Sequence, residues 1–501
     1  MDASSNARGA GGPRRIATLA EALAVVLVLA VLFACHARWI FTHFSNDAYL
    51  CDSGWIAFLF EQADPLLRNP RAVVGMACAG TNAPTFLAHH LSPHIFLFGA
   101  PFSVFGISGI DILAYHQGLF FSLFLLALYL VIAPVRLPAH ERFVAMLAAL
   151  AIGTLANVLL QAAAYPHYET AMFAVSSMAI AAGLAGYRRL FVCCLAWLPM
   201  IREDGGLYAA VVCFSCLTVE HGENRRLGFA TPTLVIAAGI GIVVSVAAFV
   251  VKATYFPGFD AFSKNFAGDH WRHVTRAFVV ERAQAMLANW NIAPVLAGSV
   301  VLSIIDVRYV TGIVLLAPLF LLHMLSVRPE HGHFTLYFAL PWLLPVLIWL
   351  AVLVRRMSDR RASGIEKTIF VVLACALTAP VQALIGTPQA RWDVALQAFR
   401  RPIVDIAGMK KVARSTHASY ASSAAERGQK QCASMGIAAL IPDDLAPGEV
   451  ISPDSDISSC LTVLLLRGDM HYAELTAKAK ASGFRLTIIR ENAEVWLRDT
   501  H

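Results

Sequence analysis

The chain of 501 residues is 58% hydrophobic and 14% charged, with a mean hydropathy of +0.63, which excludes an ordinary water-soluble protein. Its formal net charge of +6 does not mark a nucleic-acid surface, because the arginines sit in short loops between apolar runs, where they set membrane topology. Apolar runs of roughly 17 to 25 residues, the length a helix needs to cross about 30 Å of hydrocarbon, recur along the chain, and we expect about eleven spans.

Residues 1–15 carry Arg8, Arg14 and Arg15 ahead of a long Ala/Val/Leu run. The outline is that of a signal peptide, but the run continues to Ile40 with no small-residue cleavage site, so it reads as an uncleaved anchor behind a cytoplasmic tail. A transmembrane domain follows over 16–387. Its first external loop, 41–109, opens FTHFSNDAYLCDSGW, which sets Asp47 and Asp52 just beyond the first span. The same loop continues AHHLSPHIFLFGAPFSVFG, where the apolar stretch from Leu91 to Gly106 is short for a crossing and holds Pro93 and Pro101. It reads as an interfacial helix.

Ile110 to Val135 then runs inward to Arg136, His140 and Arg142, and Phe143 to Ala163 returns outward, ending in AYPHYET. A further span begins near Glu169 and comes back to Tyr187, Arg188 and Arg189. The short run LFVCCLAWLPMI ends in IREDGG. Charges such as Arg202, Glu203 and Asp204 would each cost roughly 2.5 to 3.5 kcal/mol at the bilayer centre, so they belong at an outer cavity.

Leu227 to Val251 leads into a second large external loop, 252–289, with His270, Trp271, His273 and an amphipathic stretch from Thr275 to Leu287. Two spans flank Asp306 to Arg308, one follows VRPEHGHF and ends at Arg355 and Arg356, and the last covers Thr368 to Ile385. From Pro388 the composition is no longer membrane-like. AALIP, LTVLLL and FRLTII read as short buried strands and HYAELTAKAKASG as an amphipathic helix closed by Gly483. An odd number of spans places this small α/β domain, 388–501, on the external face.

Of the ten cysteines, Cys35, Cys193, Cys194, Cys213, Cys216 and Cys375 fall in spans, where they act as small apolar residues. The other four form two external pairs, Cys51 with Cys78 and Cys432 with Cys460, each open to a disulfide or to chance pairing.

The external loops collect Asp47, Asp52, His89, His90, His94, His167, Glu169, Arg202, Glu203, Asp204, His270, His273, Arg328, His331 and His333, whereas the cytoplasmic loops hold mostly Arg. The working face is therefore external. Asp47 is placed to act as a general base on a hydroxyl nucleophile, or simply to cap a helix. Asp52 could hold a divalent cation, Mg or Mn, through oxygen ligands, although two acids alone specify no metal. His90 suits a phosphate or a leaving group, or else caps the helix that follows. His167 and Glu169 face one cavity, or Glu169 merely favours a helix N-terminus. Arg202, Glu203 and Asp204 bind substrate or form an internal ion pair. His331 and His333 lack zinc spacing.

The order NDAYLCD, HHLSP, PHYE, REDGGLYAA and HGHFTLYFALP resembles that of the bacterial polytopic membrane proteins of the domain-of-unknown-function 2079 family, which looks like a branch of the GT-C glycosyltransferases. The likeness covers roughly residues 40–355. The family's paired acids fall on Asp47 and Asp52, its His-x-Ser-Pro on His90, Ser92 and Pro93, its His-x-Glu on His167 and Glu169, and its Glu-Asp on Glu203 and Asp204.

The resemblance implies an all-α polytopic transmembrane, GT-C-like fold in a bacterial inner membrane, with the small α/β domain in the periplasm. It implies a sugar donor carried on polyprenyl phosphate, a glycan, lipid or protein acceptor, and Asp47 as the base. His90 and Arg202 would bind the donor phosphate, and Asp52 or Glu203 would orient substrate or hold a divalent ion. His167, Glu169 and Asp204 would line the substrate site. The chain departs from the family at Asn46, where a Tyr is usual, and at Ala48-Tyr49-Leu50, which replaces a Gly-rich continuation and changes the acceptor pocket. A transporter or flippase for a lipid-linked or small polar solute is the alternative. It would need polar groups through the spans and inverted-repeat symmetry, and neither is visible. A non-catalytic scaffold is the third reading.

Overall fold

In the computed structural model the first apolar run forms one unbroken helix, α1 (Gly12–Asn46), as expected of an Ala/Val/Leu sequence with no Gly or Pro inside it. The structure describes residues 12–46, 51–73, 83–219, 228–257, 271–392, 396, 399–400, 406–467, 469, 471–490 and 493–498. Among the described residues, five segments are long and apolar enough to cross a membrane: Ala20–Thr42, Gly109–Ile132, Thr231–Tyr255, Val307–Met324 and Pro329–Ser358. A sixth arises if Arg276–Ala288 and Ala293–Ile305, bent by 82° at their junction, count as one span. Thr170–Ala185 and Gly205–Val219 are apolar but shorter. The chain is a multi-pass membrane protein.

The helices follow in order: α2 (Cys51–Gln62), α3 (Pro93–Ser103), α4 (Gly109–Ile132), α5 (Ala139–Leu155), α6 (Asn157–Ala163), α7 (Thr170–Ala185), α8 (Arg188–Ile201), α9 (Gly205–Val219) and α10 (Thr231–Tyr255). After them come α11 (Arg276–Ala288), α12 (Ala293–Ile305), α13 (Thr311–Met324), α14 (Pro329–Gly332), α15 (Leu343–Ser358), α16 (Gly364–Ala376) and α17 (Ala379–Leu384). At 11 residues α3 is too short to cross, and it packs on α2, with Gly99 against the Phe60 backbone.

The expected span from Phe143 to Ala163 is broken into α5 and α6 at Ala156 (ψ 127). The break is stable inside apolar surroundings because a second break lies beside it at Thr378. Ala156 bridges to Thr378, and the Asn157 N–H donates to the Leu377 carbonyl at 2.9 Å. Backbone groups freed at membrane depth must find protein partners, and here each break supplies them to the other. Buried amides complete the joint: Asn157 donates to Asn291 Oδ1 (3.0 Å), and Asn291 donates to Gln161 Oε1 (3.1 Å).

The C-terminal part comprises α18 (Ile406–Glu426), β1 (Lys430–Ser434), α19 (Met435–Leu440), β2 (Val450–Ile451), β3 (Cys460–Leu466), α20 (Tyr472–Ala481), β4 (Phe484–Arg490) and β5 (Ala493–Arg498). The strands form one mixed sheet in the order β2-β1-β3-β5-β4, with β1 parallel to β2 and β3, and β5 antiparallel to β3 and β4. LTVLLL takes its expected form as a buried strand and HYAELTAKAKASG as a helix, whereas FRLTII forms strand β4 at the edge of the sheet, with Leu486 and Ile489 exposed where burial was expected. AALIP does not take its expected form: its Ala and Leu residues belong to helix α19, not to a strand. The cause is tertiary, since α19 lies against α2, and the Gly436 N–H at its start donates to Asp469 Oδ2 at 2.8 Å. The contact with α2 is close, because a Cβ on Gly54 would stand 2.3 Å from that of Ala439.

Strand β5 escapes sequence reading because Glu494 interrupts it. That carboxylate is buried and accepts from Arg467 Nε (2.7 Å), the Tyr472 hydroxyl (2.8 Å) and the Trp496 indole (3.0 Å). Cys432 on β1 and Cys460 on the neighbouring β3 are disulfide-bonded, with Cα atoms 5.7 Å apart. Ala433, Ile437, Leu440, Leu464 and Val495 join the same apolar core as Trp55 and Phe60 of α2, and Lys410 pairs with Glu61 at 2.8 Å. The small domain is thus fastened directly onto α2.

Candidate functional site

One end of the helical bundle gathers α2, the segment before α3, the turn from α6 to α7, the turn from α8 to α9 and the last turn of α10. The α8–α9 turn shows how local sequence builds it. After Pro199 in the last turn of α8, Arg202 takes an extended conformation (φ −162, ψ 161). Gly205 and Gly206 then allow α9 to start at once. A Cβ on Gly205 would lie 1.9 Å from the Leu198 carbonyl oxygen, and one on Gly206 would lie 2.0 Å from that of Gly241 on α10. The second glycine therefore lets α9 and α10 meet backbone to backbone, and that approach carries Lys252, at the end of α10, to Glu203.

Glu203 is the hub. Its Oε1 accepts from Lys252 Nζ (3.0 Å) and lies 3.1 Å from His90 Nδ1, and its Oε2 accepts from the Leu91 N–H (3.0 Å). Lys252 also donates to the His89 carbonyl at 2.6 Å, which pins the chain just before α3. Burial pushes the Glu203 carboxyl upward, but His90, Lys252 and Arg202 outweigh it and hold the group well below the usual carboxylate range.

Arg202 turns the other way. Its Nε and one terminal nitrogen donate to Asp204, the Nε bond being 2.7 Å, and its other terminal nitrogen reaches Glu169 at 2.5 Å. All its nitrogens are thereby engaged. His90 stands between the two carboxylate groups, with Nε2 3.9 Å from Glu169. Three carboxylates (Glu169, Glu203, Asp204) face two fixed cations, which leaves one negative charge in excess beside His90.

Asp52 occupies a separate corner. It accepts from the Tyr165 hydroxyl at 2.7 Å. Burial raises its carboxyl above the ordinary value, against the Tyr165 bond and the nearby Arg328 and His90. The exposed Arg328 guanidinium lies within electrostatic reach of this carboxylate. His167 is held differently: its ring stacks on Tyr337 at 4.2 Å and 5°, and its carbonyl accepts from Gln117 Nε2 at 2.7 Å. Burial drives the His167 imidazole well below its usual range, so it stays neutral.

Asp52, His90, His167, Glu169, Arg202, Glu203 and Asp204 therefore come together from four distant stretches. Asp47 lies between the end of α1 and the start of α2, outside the described residues, as do His270 and Cys78 with its proposed link to Cys51. His94 stands apart, bonded to His116 (2.8 Å) and the Trp197 indole (3.1 Å). His333 pairs with Glu281 at 2.7 Å, His331 meets the Ser326 hydroxyl at 3.0 Å, and His273 meets the Leu325 carbonyl at 2.9 Å.

Among the described residues no group of three or more His, Cys, Asp or Glu is placed to hold a metal ion. Asp52 has the Tyr165 hydroxyl as its near partner, and Asp47, the other acid of the expected pair, lies outside the described residues. Two participants went unnoticed in the sequence. Lys252 falls at the start of the expected external loop, whereas it belongs to the last turn of a spanning helix, where a lone charge in an apolar run is itself a functional signal. Tyr165 precedes His167 by two residues and shows its role only through Asp52.

No family model matches the chain, and no curated protein matches it. Two matching solved structures are those of ArnT from Cupriavidus metallidurans. The apo structure is 12% identical with a TM-score of 0.42 and covers 95% of this chain and 98% of that chain. The structure bound to undecaprenyl phosphate is 13% identical with a TM-score of 0.40 and covers 94% and 97% respectively. Identity and superposition are both low, and the functional reading rests on the side chains.

Proposed function

We propose that the protein is a membrane glycosyltransferase of the GT-C type, taking a sugar from a polyprenyl-phosphate carrier on the periplasmic face of a bacterial inner membrane. The observation that carries this reading is the convergence of Asp52, His90, His167, Glu169, Arg202, Glu203 and Asp204, drawn from four stretches of the sequence, on one largely buried polar cluster at one end of apolar helices. Such a place gives a lipid-linked donor apolar surface for its tail and charged groups for its head.

In this reading Asp47 takes the proton of the acceptor hydroxyl, the new glycosidic bond forms at the sugar carbon, and the bond from that carbon to the carrier phosphate breaks. The carrier phosphate leaves with the electron pair. His90, held 3.1 Å from Glu203, and the exposed Arg328, whose guanidinium suits phosphate, bind the donor head. Arg202, expected on the phosphate, instead clamps Glu169 and Asp204. These ion pairs correspond to the internal pairing weighed in the sequence, and in this reading Arg202 positions Glu169 and Asp204. Asp52, with its raised carboxyl, is the second acid at the reacting end.

The test is sugar transfer in proteoliposomes, with a panel of radiolabelled polyprenyl-phosphate sugars and detection of both the freed carrier phosphate and the glycosylated product. Asp47→Asn should lower turnover by about 10²-fold or more, the usual contribution of a general base. Full turnover by that variant would refute the mechanism. Movement of labelled carrier across the bilayer with no covalent product would instead establish a transporter.

A further inference from the structure

A second feature lies at the opposite end of the bundle from the polar cluster. Helix α7 begins beside Glu169 and runs 16 residues to Ala185, about 24 Å at 1.5 Å per residue. There the chain turns through Gly186, in the left-handed region at φ 85, and starts α8. Between this turn and the end of α4 lies an open groove of about 580 Å³. It is lined by Leu126 and Leu130 of α4, by Gly186 and Tyr187 of the turn, and by Arg188, Arg189 and Leu190 of α8.

Taken alone, arginines at the end of a spanning helix are topology signals. The groove adds what a topology signal does not need: an aliphatic lining that also includes two consecutive arginines. The Arg188 guanidinium is fixed over the Phe229 ring, 5.5 Å from its centroid, and Tyr187 is half exposed beside it. A groove with aliphatic and basic lining at the end of a spanning helix is complementary to one kind of molecule in a bilayer, a lipid with an anionic head and an acyl chain.

We infer that this groove is a binding site for an anionic phospholipid, with its phosphate at Arg188 and Arg189 and one acyl chain along Leu126, Leu130 and Leu190. The site is independent of the proposed transferase centre and does not depend on that reading. A bound lipid here would tie the α7–α8 turn to α4. Those helices deliver Glu169 and Arg202 to the polar cluster at their other ends.

The experiment is native mass spectrometry of the full-length protein, titrated with phosphatidylglycerol and, separately, phosphatidylcholine. Wild type should bind phosphatidylglycerol in preference to phosphatidylcholine. Arg188→Gln with Arg189→Gln should weaken phosphatidylglycerol by about 25-fold, roughly fivefold for each arginine, and leave phosphatidylcholine unchanged. Should the double variant fail to fold, each single substitution carries the same test at about fivefold. Leu126→Trp, which fills the slot, should weaken both lipids. Equal binding of the two lipids, or unchanged selectivity in the arginine variants, would overturn the proposal. So would displacement of phosphatidylglycerol by millimolar inorganic phosphate alone, which would mark an anion site without a lipid.

Discussion

Replacing Glu203 by Gln removes the carboxylate bonded to Lys252, and it does so where both side chains are almost fully buried, with 6% and 9% of their side-chain surfaces exposed. Lys252 would keep the His89 carbonyl but lose its counter-charge, and the Leu91 N–H and His90 would lose a charged acceptor. Breaking a buried pair by removing one partner costs about 3–5 kcal/mol, because the other charge is left uncompensated. Replacing both partners, as in Glu203→Gln with Lys252→Met, should recover most of that loss.

The pH dependence follows the sign of the shift. The Glu203 carboxyl is held below its unfolded value, so its contribution is complete above about pH 4.3 and is lost as pH falls through the folded value. The gap between wild type and Glu203→Gln should therefore be full at pH 7 and close in acid. Reversible SDS unfolding of the purified protein in mixed micelles, followed by circular dichroism, measures both effects. A Glu203→Gln loss under about 0.5 kcal/mol at pH 7, the size of an ordinary surface change, would refute the buried-hub account.

Asp52→Asn should behave oppositely. Burial raises the Asp52 carboxyl, so wild type should lose stability as pH rises through that raised value, while the variant should not; parallel pH profiles of unfolding would contradict this. Gly54→Ala drives a Cβ to within 2.3 Å of Ala439 and should cost about 1–3 kcal/mol by prising α19 from α2, read as faster proteolytic release of the C-terminal domain. Cys432→Ser should remove a cross-link closing a 28-residue separation, worth about 3–4 kcal/mol on loop-entropy grounds. Mass spectrometry of alkylated protein, with and without reduction, would show whether the bond is present in wild type. Arg202→Lys keeps the charge but cannot bridge Asp204 and Glu169 together, so it should lower turnover more than an Arg189→Lys control.

The membrane character was legible because a helix crossing hydrocarbon must be apolar over its whole length, although about eleven spans were expected and five or six segments among the described residues are long and apolar enough. The C-terminal α/β domain was legible in outline for a related reason: β3 is buried throughout, so LTVLLL is wholly apolar but for one Thr. AALIP was misread because Ala and Leu serve helix and strand alike, and only the packing of α19 against α2 decides between them.

The candidate site divides in the same way. Sequence alone determined which chemical groups stand outside the long apolar runs, since exposed or pairable charges are excluded from lipid wherever they fall. Tertiary structure decided which of those groups meet. The engagement of Arg202 by Glu169, of Glu203 by His90 and Lys252, and of Asp52 by Tyr165 joins residues from separate stretches of the chain. Such partnerships depend on distances set by helix packing, down to Gly206 against the backbone of α10, and no local pattern of residues encodes those distances.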